Sequence, residues 1–175
     1  MSTAYLSNEQ ILLRAADPED LDVMYRMENS PLLWEVSNSV SPYSRFVLKQ
    51  YLENTTNDIY TDKQLRLMIV RQSDKEVLGV IDLTDYVPLH ERAAIGIALF
   101  DEYRKQGFAS QALQLLIDYA FGHLAMKQLY VHIPVDNEAS LQLFQQFSFC
   151  QSGILKKWIR SGDSYKDVVI MQRFR

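Results

Sequence analysis

The segment from Arg104 to Ser110 has the residue types and the position of an anion-binding loop. Its first six residues, RKQGFA, fit the pattern Arg or Gln, two residues, Gly, one residue, and Gly or Ala. The segment lies between a predicted strand and the first turn of a predicted helix. The first four N–H groups of a helix have no intrahelical partner, and the helix dipole adds about half a positive charge there. The loop is therefore expected to bind a phosphate group through its main chain.

The side chains of this loop also favour phosphate binding. Gly107 and Ala109 leave room for a phosphate to reach the amides, and Arg104 and Lys105 add charge-assisted contacts to a diphosphate or to the 3′-phosphate of a nucleotide. The structural alternative is an ordinary turn glycine and a helix-opening alanine, because so short a pattern recurs by chance. The glycine-rich loops typical of dinucleotide and nucleoside triphosphate sites are both absent from the sequence, which disfavours those ligands.

The elements around the loop predict a mixed α/β fold. A strand at residues 92–100 precedes the loop, and apolar residues at helical spacing follow it. Two earlier helices are predicted, one at residues 18–28 and one from the Ser41-Pro42 start signal to Asn54. The other predicted elements are strands at residues 11–14, 65–70, 77–83 and 128–133, a helix at 137–147, and a hairpin of 149–159 with 165–173. This order predicts a mostly antiparallel central sheet with helices on both faces.

Composition narrows the class of protein. A chain of 175 residues is expected to form one domain spanning residues 1–175. Its 18 Lys and Arg against 22 Asp and Glu, with no long basic run, disfavour nucleic-acid binding. No apolar run of about 18 residues and no secretory signal are present, so no membrane association and a cytoplasmic location are expected. The single Cys150 and the scattered His90, His123 and His132 suggest no metal site.

Together these features resemble the GNAT superfamily of N-acetyltransferases. The resemblance rests on the strand at residues 94–100, the loop from Arg104 to Ser110, Asn137 near the next helix start, and Phe149 after that helix. It extends over nearly the whole chain, including the closing hairpin at residues 162–167. Within the superfamily the chain is most similar to the branch that holds ribosomal-protein N-terminal and spermidine N-acetyltransferases.

The resemblance implies an acetyl-CoA site built mostly from main chain. Asn137 matches the family asparagine that contacts the cofactor, although an N-cap role before the helix is equally consistent with its type. The backbone near Leu99 is implied to stabilise the oxyanion of the reacting carbonyl. The residues implied to pair with the pantetheine arm are Ile97, Ala98 and Leu99, and those implied to hold the pyrophosphate are Arg104, Lys105, Gln106, Gly107, Phe108, Ala109 and Ser110.

Three departures from the family pattern limit how far the roles of family residues carry over to this chain. Phe144 stands where many members have a tyrosine general acid near the thiol, and Ser148 replaces a glycine. A missing acid is tolerable, because a thiol with an ordinary pKa of about 8.5 can leave as its thiolate. No carboxylate is singled out as the base that must deprotonate the amine. Among Asp82, Asp85 and Glu91 we favour Asp82, whose alternative roles are a solvated strand residue or a passive contact to a charged substrate.

The sequence thus predicts an acetyl-CoA-dependent N-acetyltransferase that acts by direct attack of a primary amine, without a metal. Small amines, polyamines and protein N-termini all remain open as acceptors, and a homodimer is an open possibility. Tyr43, Phe46, Tyr51 and Tyr60 are candidates for an acceptor pocket or for the core. The alternative function is a non-catalytic acyl-CoA-binding regulatory module, motivated by Phe144 and by the lack of an obvious base.

Overall fold

A seven-stranded sheet forms the centre of the protein in a computed structural model, which describes residues 5–37 and 39–175. The strand order is β1-β2-β3-β4-β5-β7-β6. Neighbouring strands are antiparallel except β4 and β5, which are parallel. The strands are β1 (Ile11–Arg14), β2 (Leu65–Arg71), β3 (Val77–Val87), β4 (Arg92–Leu99), β5 (Gln128–Pro134), β6 (Cys150–Ser161) and β7 (Ser164–Phe174).

Helices cover both faces of this sheet, as the sequence predicts. Helices α1 and α3 pack on one face through buried residues such as Met24 and Leu48, and α5 and α6 pack on the other through residues such as Leu116 and Phe144. Because both faces are covered, nearly every residue of β2 and of the first half of β3 is buried. The helices are α1 (Leu21–Glu28), α2 (Pro31–Ser37), α3 (Arg45–Asn54), α4 (Ile59–Asp62), α5 (Phe108–Asp118) and α6 (Glu138–Gln146).

Some helix starts differ from the sequence predictions. Helix α3 begins at Arg45 rather than at the predicted Ser41-Pro42 signal, because Ser44 caps it by accepting a hydrogen bond from the Val47 N–H at 3.2 Å. The first helix opens with a 3-10 turn at Pro18–Asp20 before α1. Helices α2 and α4 were not predicted, since seven and four residues are too few for a clear helical period.

The two parallel strands separate soon after they meet. Strand β4 pairs with β5 at Arg92 with Gln128, at Ala93 with Leu129 and at Ala94 with Tyr130. In the part of the chain that the structure describes, no later residue of β4 pairs with β5. A cleft therefore opens in the middle of the sheet, between residues 95–99 of β4 and residues 131–134 of β5.

Candidate active site

The cleft between β4 and β5 is the larger of two neighbouring cavities, with a volume of about 450 Å³. Its β4 wall includes Ile97 and Ala98, two of the residues predicted to contact pantetheine. The backbone edge of β4 that faces the cleft has lost its β5 partner, so it can pair with an extended ligand in the manner of another strand. Predicted residues Asn137 and Phe144 border the same cavity from α6.

The predicted phosphate loop lies between the end of β4 and the start of α5. Gly107 is the N-cap of α5 and has a φ of 83°, in the left-handed region that favours glycine. A Cβ atom placed on Gly107 would meet nothing within 4 Å, so the space beside the loop is open. The amides of Phe108, Ala109 and Ser110 open an eleven-residue helix, where N–H groups lack intrahelical partners. The local geometry fits a pyrophosphate group.

Charged side chains of the loop are turned toward the protein or toward solvent. The Arg104 Nη1 atom lies 3.1 Å from the Asp101 carboxylate, and its Nε atom lies 3.4 Å from the Leu99 carbonyl oxygen. Lys105 is exposed, and Gln106 donates to the Glu102 carbonyl oxygen at 2.8 Å. A phosphate contact from Arg104 would therefore compete with Asp101. The amides of Phe108, Ala109 and Ser110, at the start of α5, are the main-chain donors of this loop that lack an intrahelical partner.

Residues Asn137 and Phe144 each have a structural role that the sequence left open. Asn137 caps α6, since its side-chain oxygen accepts a hydrogen bond from the Ser140 N–H at 3.2 Å. Phe144 is 1% exposed, and its ring meets the edge of Phe149 at 5.1 Å between centroids. Both residues also border the cleft, so these packing roles are compatible with contacts to a ligand.

A second cavity of about 320 Å³ lies on the α1 and α3 face of the sheet. Two of the four aromatic candidates, Tyr43 and Tyr51, line it. The side chain of Phe46 is instead exposed, and Tyr60 packs edge-on against Tyr86 at 5.6 Å. Burial raises the pKa of Tyr51 above its ordinary value, so this hydroxyl is neutral at physiological pH.

A cluster of three charged residues separates the two cavities and borders both of them. Arg66 donates from Nε and Nη2 to the two Asp82 oxygens at 3.0 and 2.9 Å, and from Nη1 to a Glu28 oxygen. Ser37 and Thr84 also border both cavities. Burial alone would lower the Arg66 pKa, but the contacts with Asp82 and Glu28 raise it above its ordinary value. The arginine is permanently charged, and the cluster carries one net negative charge.

The sequence suggested Asp82 as a candidate base, a role that stays a prediction, and gave no indication of Glu28 or Arg66. Neither residue belongs to a local motif, because Glu28 lies 38 positions before Arg66, and Asp82 lies 16 positions after it. The pairing of Arg66 with Asp82 across β2 and β3 is the signal that could have revealed the cluster. Asp85 and Glu91, the other two candidate carboxylates, are exposed near the far end of β3, and of these only Asp85 borders the cleft.

A comparison with protein families shows which family this chain belongs to. Residues 10–149 match the model described as acetyltransferase (GNAT) domain. The chain belongs to the GNAT acetyltransferase family. It is 26% identical over 161 residues to the spermidine N(1)-acetyltransferase of Vibrio cholerae serotype O1, covering 92% of this chain and 91% of that protein. The ribosomal-protein-serine acetyltransferase of Escherichia coli K12 is 33% identical over 100 residues, covering 57% of this chain and 56% of that protein.

Solved structures agree with this GNAT fold. The spermidine N-acetyltransferase from Vibrio cholerae in complex with CoA and spermine superposes with a TM-score of 0.84 and 24% identity, covering 95% of this chain and 96% of that one. The GNAT enzyme described here therefore transfers an acetyl group from acetyl-CoA to an amine, and the non-catalytic alternative is not favoured.

No group of three or more His, Cys, Asp or Glu side chains within residues 5–37 and 39–175 is arranged to hold a metal ion. No helix in the described ranges is long and apolar enough to cross a membrane.

Proposed function

We propose that acetyl-CoA binds in the cleft between β4 and β5 and that the acceptor amine reaches it from the second cavity. The main support for this proposal is that the two cavities share a wall. Its residues are Glu28, Arg66, Asp82, Ser37 and Thr84. Two substrates bound on either side of this wall meet at its edge. Holding both there converts a reaction between two solutes into one within a complex, which lowers the entropic part of the barrier.

In this arrangement the main chain holds the acetyl donor. The pantetheine arm lies along Ile97, Ala98 and Leu99, and the pyrophosphate contacts the amides that open α5. A backbone N–H near Leu99 stabilises the oxyanion that forms as the amine attacks the thioester carbonyl. Phe144 donates no proton, so CoA leaves as its thiolate.

The acceptor we propose is a cationic amine. The cluster of Glu28, Arg66 and Asp82 has two carboxylates for one guanidinium, and its net charge favours an ammonium group. The names of two relatives, a spermidine and a ribosomal-protein-serine acetyltransferase, offer a polyamine and a protein as acceptors to test. A dodecameric spermidine N-acetyltransferase among the structural neighbours supports assembly of several copies, which sedimentation of the purified protein would measure. A cytoplasmic location stays a prediction.

A titration and a panel of amines test this proposal. Acetyl-CoA is added while thermal unfolding is followed, and a ligand at 100 times its Kd stabilises the protein by about 2.7 kcal/mol. Thiol release is then measured with spermidine, spermine and a peptide with a free serine N-terminus. We expect a rise in Tm and turnover with at least one amine. Binding without turnover of any amine would support the regulatory module instead.

A further inference from the structure

One histidine of the cleft stands in line with the charged cluster. Ala94 lies directly opposite Tyr130, so the two side chains share a sheet face. Two residues further on, Gly96 and His132 lie on that same face but on opposite sides of the cleft. Gly96 is paired on its other side with Asp82. The row across the sheet is therefore Asp82, Gly96, the open cleft and His132.

The space between Asp82 and His132 is open at Gly96. A Cβ atom on this glycine would lie 3.8 Å from the Asp82 Cβ atom and 3.9 Å from its Oδ2 atom, which is ordinary contact. Glycine thus brings no side chain between the cluster and the cleft. His132 borders the same cavity as Gly96 and Asp82. An amine entering beside the charged cluster meets the imidazole from across this gap.

The imidazole of His132 is available to a substrate. Its residue is exposed, and its ring touches the Tyr130 ring edge-on at 5.6 Å between centroids. Within the described parts of the chain it takes part in no hydrogen bond or ion pair. Histidine is also the side chain whose ordinary pKa, about 6.5, suits it to accept a proton near neutral pH.

Asp82 is less suited to accept a proton. Both of its oxygens receive hydrogen bonds from the Arg66 guanidinium, at 3.0 and 2.9 Å. Asp82 is therefore already held by a fixed partner in a two-bond contact. The geometry of the cluster suits the attraction of a cation better than the removal of its proton.

Charged groups around the cleft come mainly from the acceptor side. They are Glu28 on α1, Arg66 on β2, and Asp82 and Asp85 on β3. Helix α6 contributes the uncharged Asn137 and Ser140, and the β7 residue paired with His132 is Ile170. Three carboxylates against one arginine favour an ammonium group near the imidazole.

We propose that His132 is the general base of the acetyl transfer, in place of Asp82; this inference rests on the proposed function. The imidazole takes one proton from the acceptor ammonium, which frees the nitrogen lone pair. The lone pair forms the N–C bond at the acetyl carbonyl, and the C–S bond breaks as CoA leaves as its thiolate. The second proton of the nitrogen passes to the thiolate, and the imidazolium returns its proton to water.

His132→Gln tests the assignment, because glutamine keeps a polar side chain but cannot titrate near neutral pH. His90→Gln is the matched control, since His90 is an exposed histidine that borders neither cavity. Each variant is assayed with the amine of the panel that turns over, spermidine in the first instance. It is assayed again with the aminooxy isostere of that amine, in which oxygen replaces the CH2 next to the reacting nitrogen. The aminooxy nitrogen of that isostere is unprotonated at pH 7, whereas its other amino groups keep their charge, so the reacting nitrogen needs no base before attack.

We expect His132→Gln to lower kcat/KM for the alkylamine about 100-fold, the lower range of general-base effects. The loss for the aminooxy isostere should be less than tenfold, and acetyl-CoA should raise Tm as it does in the wild type. Equal losses for both amines, or a loss below threefold, would overturn the assignment. A selective loss for the alkylamine in Asp82→Asn and not in His132→Gln would return the role to Asp82. Failure of the wild type to acetylate any amine would instead overturn the proposed function.

Discussion

The loop from Arg104 to Ser110 offers main-chain amides, whereas the wall between the two cavities offers side chains from three separate elements. Loop geometry depends on one left-handed glycine, Gly107, and on the start of α5. The wall depends on Arg66, which reaches Glu28 on α1 and Asp82 on β3. A main-chain site tolerates many side-chain changes, while a site held by one arginine does not.

This difference predicts which substitutions separate donor binding from acceptor binding. Changes in the wall should impair stability and acceptor use while leaving acetyl-CoA binding intact. Changes at the loop glycine, Gly107, should impair acetyl-CoA binding while leaving acceptor binding intact. A substitution that damaged both sides equally would contradict the idea that the two halves of the site are built independently.

Arg66→Ala should have the largest effect. Removing the guanidinium leaves Glu28 and Asp82 as close carboxylates whose side chains are only 16% and 14% exposed. Breaking a largely buried ion pair on one side costs about 3 kcal/mol or more. Denaturant unfolding should show this loss, and calorimetry on the folded fraction should show acetyl-CoA affinity within about twofold of the wild type, a difference well under 1 kcal/mol.

Arg71→Ala is the matched control for Arg66→Ala. Arg71 makes a similar two-bond contact, with the more exposed Asp74. Surface ion pairs contribute little to stability because water screens them. An equal loss of stability in the two variants would mean that the position of Arg66 between the cavities has no special cost, and the comparison of wall and loop would weaken.

The difference between the continuous loop and the wall assembled from separate elements also explains which parts of the site the sequence could predict. The loop, the strand before it and α5 are continuous in the chain, so residue types and spacing were enough to predict this region and the sheet class. Glu28, Arg66 and Asp82 come together only through the pairing of β2 with β3 and the packing of α1. The short helices α2 and α4 depend on capping and tertiary contacts rather than on a helical period. No local sequence pattern specifies which residues of two distant strands pair with each other.

Gly107→Val should weaken the binding of the acetyl donor, acetyl-CoA. Its φ of 83° is costly for a β-branched residue, and the new side chain would fill the space through which a phosphate reaches the amides. Acetyl-CoA affinity should fall at least tenfold, about 1.4 kcal/mol, as measured by calorimetry. Spermidine binding to the acceptor side, measured without acetyl-CoA, should stay unchanged.

Gly162→Val controls for backbone strain in Gly107→Val. Gly162 lies in the turn between β6 and β7, with a φ of 61° and open space around it. The two variants should lose similar amounts of stability, but only Gly107→Val should lose acetyl-CoA affinity. Unchanged affinity in a folded Gly107→Val protein would contradict the phosphate-loop assignment.

Phe144→Tyr should have the smallest effect and tests where the two halves of the site meet. The ring is held by Phe149 and borders the cleft, so a hydroxyl added to its edge is expected to point into the cavity. Stability should then change by less than about 1 kcal/mol, and turnover should hold or rise by no more than ~100-fold, the lower range of general-acid help. Phe149→Tyr is the control, because Phe149 is 2% exposed and borders neither cavity. Its buried hydroxyl would lack a partner and cost roughly 1 to 3 kcal/mol. If Phe144→Tyr lost as much stability as Phe149→Tyr and gained no turnover, Phe144 would be a core residue alone, with no contact to the leaving thiolate.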